Sequence, residues 1–128
     1  MSPPPHRVGI LVFDGVKLLD VAGPAEVFAE ANLNGANYEI SIVSADGQDV
    51  SASIGIRLPV EQAAADTVRF DTVLVAGGEV FPATRVSAPL ASAARTLADR
   101  SSRIASICTG AFVLAEAGLL DGKRATTH

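Results

Sequence analysis

The chain has 128 residues, 48% of them hydrophobic and 19% charged, with a formal net charge of -4. That length suits one domain with one core, and the composition is too apolar for a disordered segment. The acidic balance argues against a surface that grips nucleic acid by itself, and the single cysteine excludes an internal disulfide framework and fits a reducing compartment.

The leader Pro3-Pro4-Pro5 is extended and leaves His6 solvated. Arg7 to Phe13 is a continuous β-prone run, expected to be a buried strand that the turn pair Asp14-Gly15 ends. That run is too short for a signal peptide or a bilayer span, so the expectation is a soluble cytoplasmic protein with no membrane partner. Leu18 to Asn32 holds the first helix, with Pro24 in its first turn and Val27 and Phe28 on one side. Tyr38 to Ser44 alternates polar and apolar residues as a second strand does. Gly47 to Leu58, interrupted by Gly55, reads as a short hairpin or irregular crossing.

A brief helical turn is expected over Ala63 to Val68. Thr72 to Ala76 forms a compact apolar strand that runs into Gly77-Gly78. Pro89 to Arg100 carries a helical stripe of Leu90, Ala93, Ala94 and Leu97, which leaves Arg95, Arg100 and Arg103 as a solvated face. Arg103 to Ile107 is a further strand, Ala111 to Leu119 an apolar helix, and Ala125-Thr126-Thr127 the opening of another strand. Strands alternating with helices call for an α/β fold with a mainly parallel sheet covered on both faces. A chain that halts as a strand begins reads as one incomplete domain over residues 1–128.

The strongest chemical signal is the run Ile104-Ala105-Ser106-Ile107-Cys108-Thr109-Gly110. A strand delivers Cys108 to the point where a helix begins, the logic of a nucleophile elbow. There the helix N-terminus favours a thiolate and the Thr109 amide is aimed at a developing oxyanion. Gly110 permits close packing of that helix on the strand. Read by itself, Cys108 is equally a small buried hydrophobe, and Ser106 stands where elbows often carry glycine. Gly77 and Gly78 follow a buried strand, so their amides are candidates for completing the pocket, or else form an ordinary turn.

Asp20, just before the first helix, reads either as a cap or as a general acid/base beside Cys108. His128 is a candidate base for the thiol. One cysteine and two distant histidines make no metal ligand set, and no phosphate loop is present, so no cofactor is expected.

Taken in order, the motifs V-G-I-L-V-F-D-G-V-K-L-L-D-V-A-G-P-A-E-V-F, D-T-V-L-V-A-G-G and I-A-S-I-C-T-G-A-F-V-L-A-E-A-G-L-L-D-G-K-R-A-T-T-H resemble the ThiJ/PfpI-like, glutamine-amidotransferase-like family. The match is nearest to the N-terminal domain of GlxA-type, AraC-family transcriptional regulators. The resemblance implies a flavodoxin-like three-layer sandwich, usually dimeric, truncated here at its C-terminal end. It maps the family's cysteine onto Cys108, its acidic residue onto Asp20, its pocket amides onto Gly78 and Thr109, and its histidine onto His128. It implies a domain that senses a small-molecule ligand, with DNA bound only through a C-terminal helix-turn-helix domain absent from this chain.

The isonitrile hydratases are also similar. That branch implies an enzyme in which Cys108 attacks, Asp20 moves protons and Thr109 assists. An oxidisable Cys108 beside Asp20 is the remaining alternative. The downstream His-x-Glu pair of true amidotransferases has no counterpart, so glutamine hydrolysis is unsupported.

Overall fold

A computed structural model describes residues 3–127. The apolar run predicted as a buried strand forms β1 (His6–Leu11), the centre of the sheet. Its residues Val8, Ile10 and Leu11 are fully buried. Each such aliphatic side chain contributes about 1.5–3 kcal/mol when removed from water. α1 (Leu18–Asn32) follows, then β2 (Tyr38–Ser44), the hairpin β3 (Val50–Ser51) and β4 (Arg57–Leu58), and the short β5 (Gln62–Ala63). A 3-10 turn at Ala64–Asp66 leads to β6 (Phe70–Val75), α2 (Ala88–Asp99), β7 (Ser101–Ser106) and α3 (Gly110–Glu116).

The main sheet runs β5-β2-β1-β6-β7, and every pairing in it is parallel. On the central strand, Val8 lies between Ile40 of β2 and Thr72 of β6. The crossover through α1 moves from β1 to β2, whereas the one through α2 moves the opposite way, from β6 to β7. Right-handed crossovers in opposite directions put their helices on opposite faces, giving the three layers of a flavodoxin-like α/β fold. Parallel pairing continues past the strand ends: Val12 donates to Val43, Ala76 to Leu11 and Ile107 to Val75. The loops after β1, β6 and β7 therefore leave from one stepped carboxyl edge, where ligand sites of open α/β sheets lie.

Several local expectations change. Pro24 sits inside α1 and not in its first turn, because Leu18 to Val21 already form that turn. Asp20 is consequently in the helix. Val27 faces solvent, while Phe28 packs against Tyr38 with ring centroids 4.7 Å apart. His6 is exposed, as expected, while it opens β1, hydrogen-bonds Thr72 Oγ1 at 2.9 Å and meets the Tyr38 ring edge-on.

Arg100 leaves the predicted solvated face. Its guanidinium donates to the carbonyls of Ala65 and Thr67 at 2.8 and 2.9 Å and so clamps the 3-10 turn against α2. Residues 125–127 form no strand. The Thr127 hydroxyl bonds instead to the Cys108 carbonyl at 2.9 Å. Among the described residues, no helix is long and apolar enough to cross a membrane.

Candidate functional site

β7 ends at Ser106, and α3 begins only four residues later, so the chain reverses direction within Ile107-Cys108-Thr109. Cys108 absorbs the turn at φ 54° and is the one non-glycine residue with positive φ among those described. That left-handed conformation costs an L-residue about 1–2 kcal/mol and persists only where its surroundings enforce it. Gly110 lies so close to the end of β6 that a Cβ there would fall 2.3 Å from the Val75 carbonyl oxygen. Cys108 itself is half-buried.

Asp20 reaches this turn from the other side of β6. It is buried, and its Oδ2 accepts the Gly77 amide at 3.1 Å. A Cβ on Gly77 would stand 2.8 Å from Asp20 Oδ2 and 2.8 Å from Cys108 Cβ. Glycine at residue 77 is what lets carboxylate and cysteine approach one another. A buried carboxylate beside a half-buried thiol can pass protons to and from a small molecule attached at sulfur.

Gly78 and Thr109 form a second link between these loops. The Gly78 amide donates to Thr109 Oγ1 at 2.9 Å, and that hydroxyl donates back to the Gly78 carbonyl at 2.7 Å. Thr109 therefore gives no side-chain cap to α3. The amides of Gly77 and Gly78 each already have an acceptor, Asp20 and Thr109 respectively.

The structure thus brings Asp20, Gly77, Gly78, Cys108, Thr109 and Gly110 to one edge of the sheet. His128 lies outside the described residues. Among those described, no group of three or more His, Cys, Asp or Glu is placed to hold a metal ion.

Residues that the sequence did not single out also border the site. The Lys17 amide donates to the Gly77 carbonyl at 2.8 Å, and the Lys17 carbonyl accepts the Asp20 amide at 3.0 Å. Lys17 Nζ pairs with Glu79 Oε1 at 2.7 Å. The hydrogen bond and charge of Glu79 raise the Lys17 pKa, and the charges of Cys108 and Asp20 add to the rise. The same pairing lowers that of Glu79. A charged residue directly before Leu18-Leu19-Asp20 was the available signal, but nothing in the spacing links it to a partner 62 residues away.

Comparison with known proteins identifies the family. Residues 6–128 match the model of the DJ-1/PfpI family. A Streptomyces lividans protein described as the uncharacterized protein in the cpoL 5′ region is 56% identical over the whole chain, which covers 91% of that protein. The isonitrile hydratase of Pseudomonas putida is 33% identical over 95% of the chain, and the HTH-type transcriptional regulator GlxA of Rhizobium meliloti is 34% identical over 96%. The chain spans 52% of that hydratase and 39% of that regulator. Among solved structures, a ThiJ/PfpI family protein from Pseudomonas syringae superposes with a TM-score of 0.83 at 24% identity, over 98% of this chain and 51% of that one. An AraC family transcriptional regulator from Pseudomonas putida superposes at 0.74 and 24% identity, over 91% of this chain and 72% of that one. The chain belongs to the DJ-1/PfpI family.

Proposed function

We propose that this chain is the ligand-sensing domain of an AraC-family transcriptional regulator, binding a small metabolite around Cys108 and Asp20. The regulators among its relatives motivate the reading. The observation that carries it is that the Gly77 and Gly78 amides are held by Asp20 and Thr109. A hydrolytic site needs preorganised donors open to the developing oxyanion. Here the Gly77 and Gly78 amides link the elements around Cys108 to one another, which suits a rigid binding pocket. DNA contact belongs to a separate domain, and pairing of the domain as a homodimer in the cytoplasm completes the proposal.

The second reading is a cysteine-dependent hydratase, favoured by the Asp20–Gly77–Cys108 approach. An isonitrile, R–NC, would take up one water to give the formamide R–NH–CHO. Cys108 would add at the terminal carbon as Asp20 delivers a proton to it, giving a thioimidate. Water would then displace the sulfur from that carbon while Asp20 recovers the proton and Cys108 is regenerated. Incubation with an alkyl isonitrile separates the two readings. The sensor reading expects no formamide above the level of a Cys108→Ala control, whereas formamide that requires both Cys108 and Asp20 would replace it with the hydratase reading.

A further inference from the structure

A cleft of about 530 Å³ runs between the start of α1 and the loop after β3, with Leu19, Ala22 and Ile54 as apolar walls. Cys108 and Asp20 are not among its lining residues, and Lys17 is what joins it to them. Lys17 and Glu79 are the charged residues that border it. The volume falls in the range of small-molecule sites, and an apolar cleft with a few placed polar groups is the usual form of one.

The Lys17 main chain is fixed at both ends by the site itself, through the Gly77 carbonyl and the Asp20 amide. Gly77 in turn lies against both Asp20 Oδ2 and Cys108 Cβ. The flexible stem of Lys17 therefore starts from the same few atoms that hold the carboxylate and the cysteine together. Its ammonium ends on Glu79, whose side chain is 75% exposed. An exposed pair is weak, so Glu79 can turn into solvent at small cost.

We propose that Lys17 is the specificity-determining residue of the Cys108 site, selecting small ligands that carry a carboxylate, with Glu79 as its displaceable counter-ion. The inference rests on reading Cys108 as the ligand-contacting group. A carboxylate arriving in the cleft replaces Glu79 on the ammonium, and the charge count at Lys17 stays the same. Without Lys17 the same ligand would meet the carboxylates of Glu79 and Asp20 with no cation between them. A neutral ligand gains nothing from the exchange.

The single cysteine makes a direct test possible with two reagents that differ only in charge, iodoacetate and iodoacetamide. Each forms one S–C bond at Cys108 with loss of iodide, and intact mass reports the rate. The iodoacetate-to-iodoacetamide rate ratio, divided by the same ratio for glutathione, is expected to be roughly three to ten in low salt. It should fall to about one or below in Lys17→Met, and the charge reversal Lys17→Glu should take it lower still. Glu79→Gln should raise it above the wild type, and the remote Arg85→Gln should leave it unchanged.

A ratio that is the same in wild type, Lys17→Met and Glu79→Gln overturns the proposal while leaving Cys108 as the contact group. Failure of both reagents to alkylate Cys108 overturns the reading on which it rests, and the proposal with it.

Discussion

Asp20 and Cys108, separated by 88 positions in the sequence, are brought to opposite sides of one missing side chain. A Cβ on Gly77 would come within 2.8 Å of both Asp20 Oδ2 and Cys108 Cβ. The first turn of α1 and the loops after β6 and β7 therefore converge on Gly77, where a side chain would find no room.

Gly77→Ala should accordingly separate fold from site. Inserting a methyl group into a filled space costs about 1–3 kcal/mol, with the carboxylate or the cysteine giving way. The expected outcome is a cooperative unfolding transition at lower denaturant, together with a changed Cys108 alkylation rate. A variant with wild-type stability and wild-type alkylation would show that the two residues are not in contact through Gly77.

Strain at Cys108 makes a comparison of two substitutions informative. Cys108→Ala keeps a Cβ at φ 54°, whereas Cys108→Gly removes the penalty. Urea unfolding should find the glycine variant as stable as the alanine variant or more stable by up to about 1 kcal/mol, against the usual cost of glycine in a structured segment. Glycine less stable than alanine by about 1 kcal/mol would remove the argument for stored strain.

Thr109→Val deletes the hydroxyl that serves the Gly78 amide and carbonyl together. Leaving a buried amide unsatisfied costs about 1–3 kcal/mol. Thr109→Ser, which keeps the hydroxyl, should recover most of it. Equal losses in the two variants would mean that the methyl group, not the hydrogen bonds, links these loops.

The Lys17–Glu79 pair sets a pH signature of known sign. Glu79 has its pKa lowered in the fold, so its contribution is complete above the ordinary carboxylate value and disappears as pH falls through the lowered one. Lys17 has its pKa raised, so its contribution is complete below the ordinary lysine value and disappears as pH rises through the raised one. The Tm difference between wild type and Glu79→Gln should be flat around neutrality, small because the pair is exposed, and absent in strong acid or high salt. A difference that grows toward acid would contradict the assignment.

The elements that position the site were legible where the physics is local. Apolar runs gave β1 and β6, polar–apolar alternation gave β2, the segment leading into Cys108 gave β7, and the glycines after β6 marked the carboxyl edge. Pro24 was misplaced because Leu18 to Val21 pack as a helical turn ahead of it, a tertiary preference that the proline rule does not contain. Arg100 was misread because its acceptors are carbonyls of a turn more than thirty residues earlier, and carbonyls carry no sequence signature. Cys108 was singled out by its strand-to-helix position. The two amide locks, Gly77 to Asp20 and Gly78 to Thr109, depend on which loops neighbour each other in space, and periodicity does not encode that.

Ligand-dependent thermal unfolding, with the ligand recovered afterwards, tests the central claim most directly. The probes are an alkyl isonitrile, the corresponding formamide and pyruvate, each with untreated protein and with protein alkylated at Cys108. A sensing pocket around Cys108 predicts that at least one probe raises Tm, that alkylation abolishes the rise, and that the probe is recovered chemically unchanged. A rise that survives alkylation would place binding elsewhere. Conversion of the probe during incubation would make the protein an enzyme, and no rise with any probe would contradict a pocket for this class of small ligand.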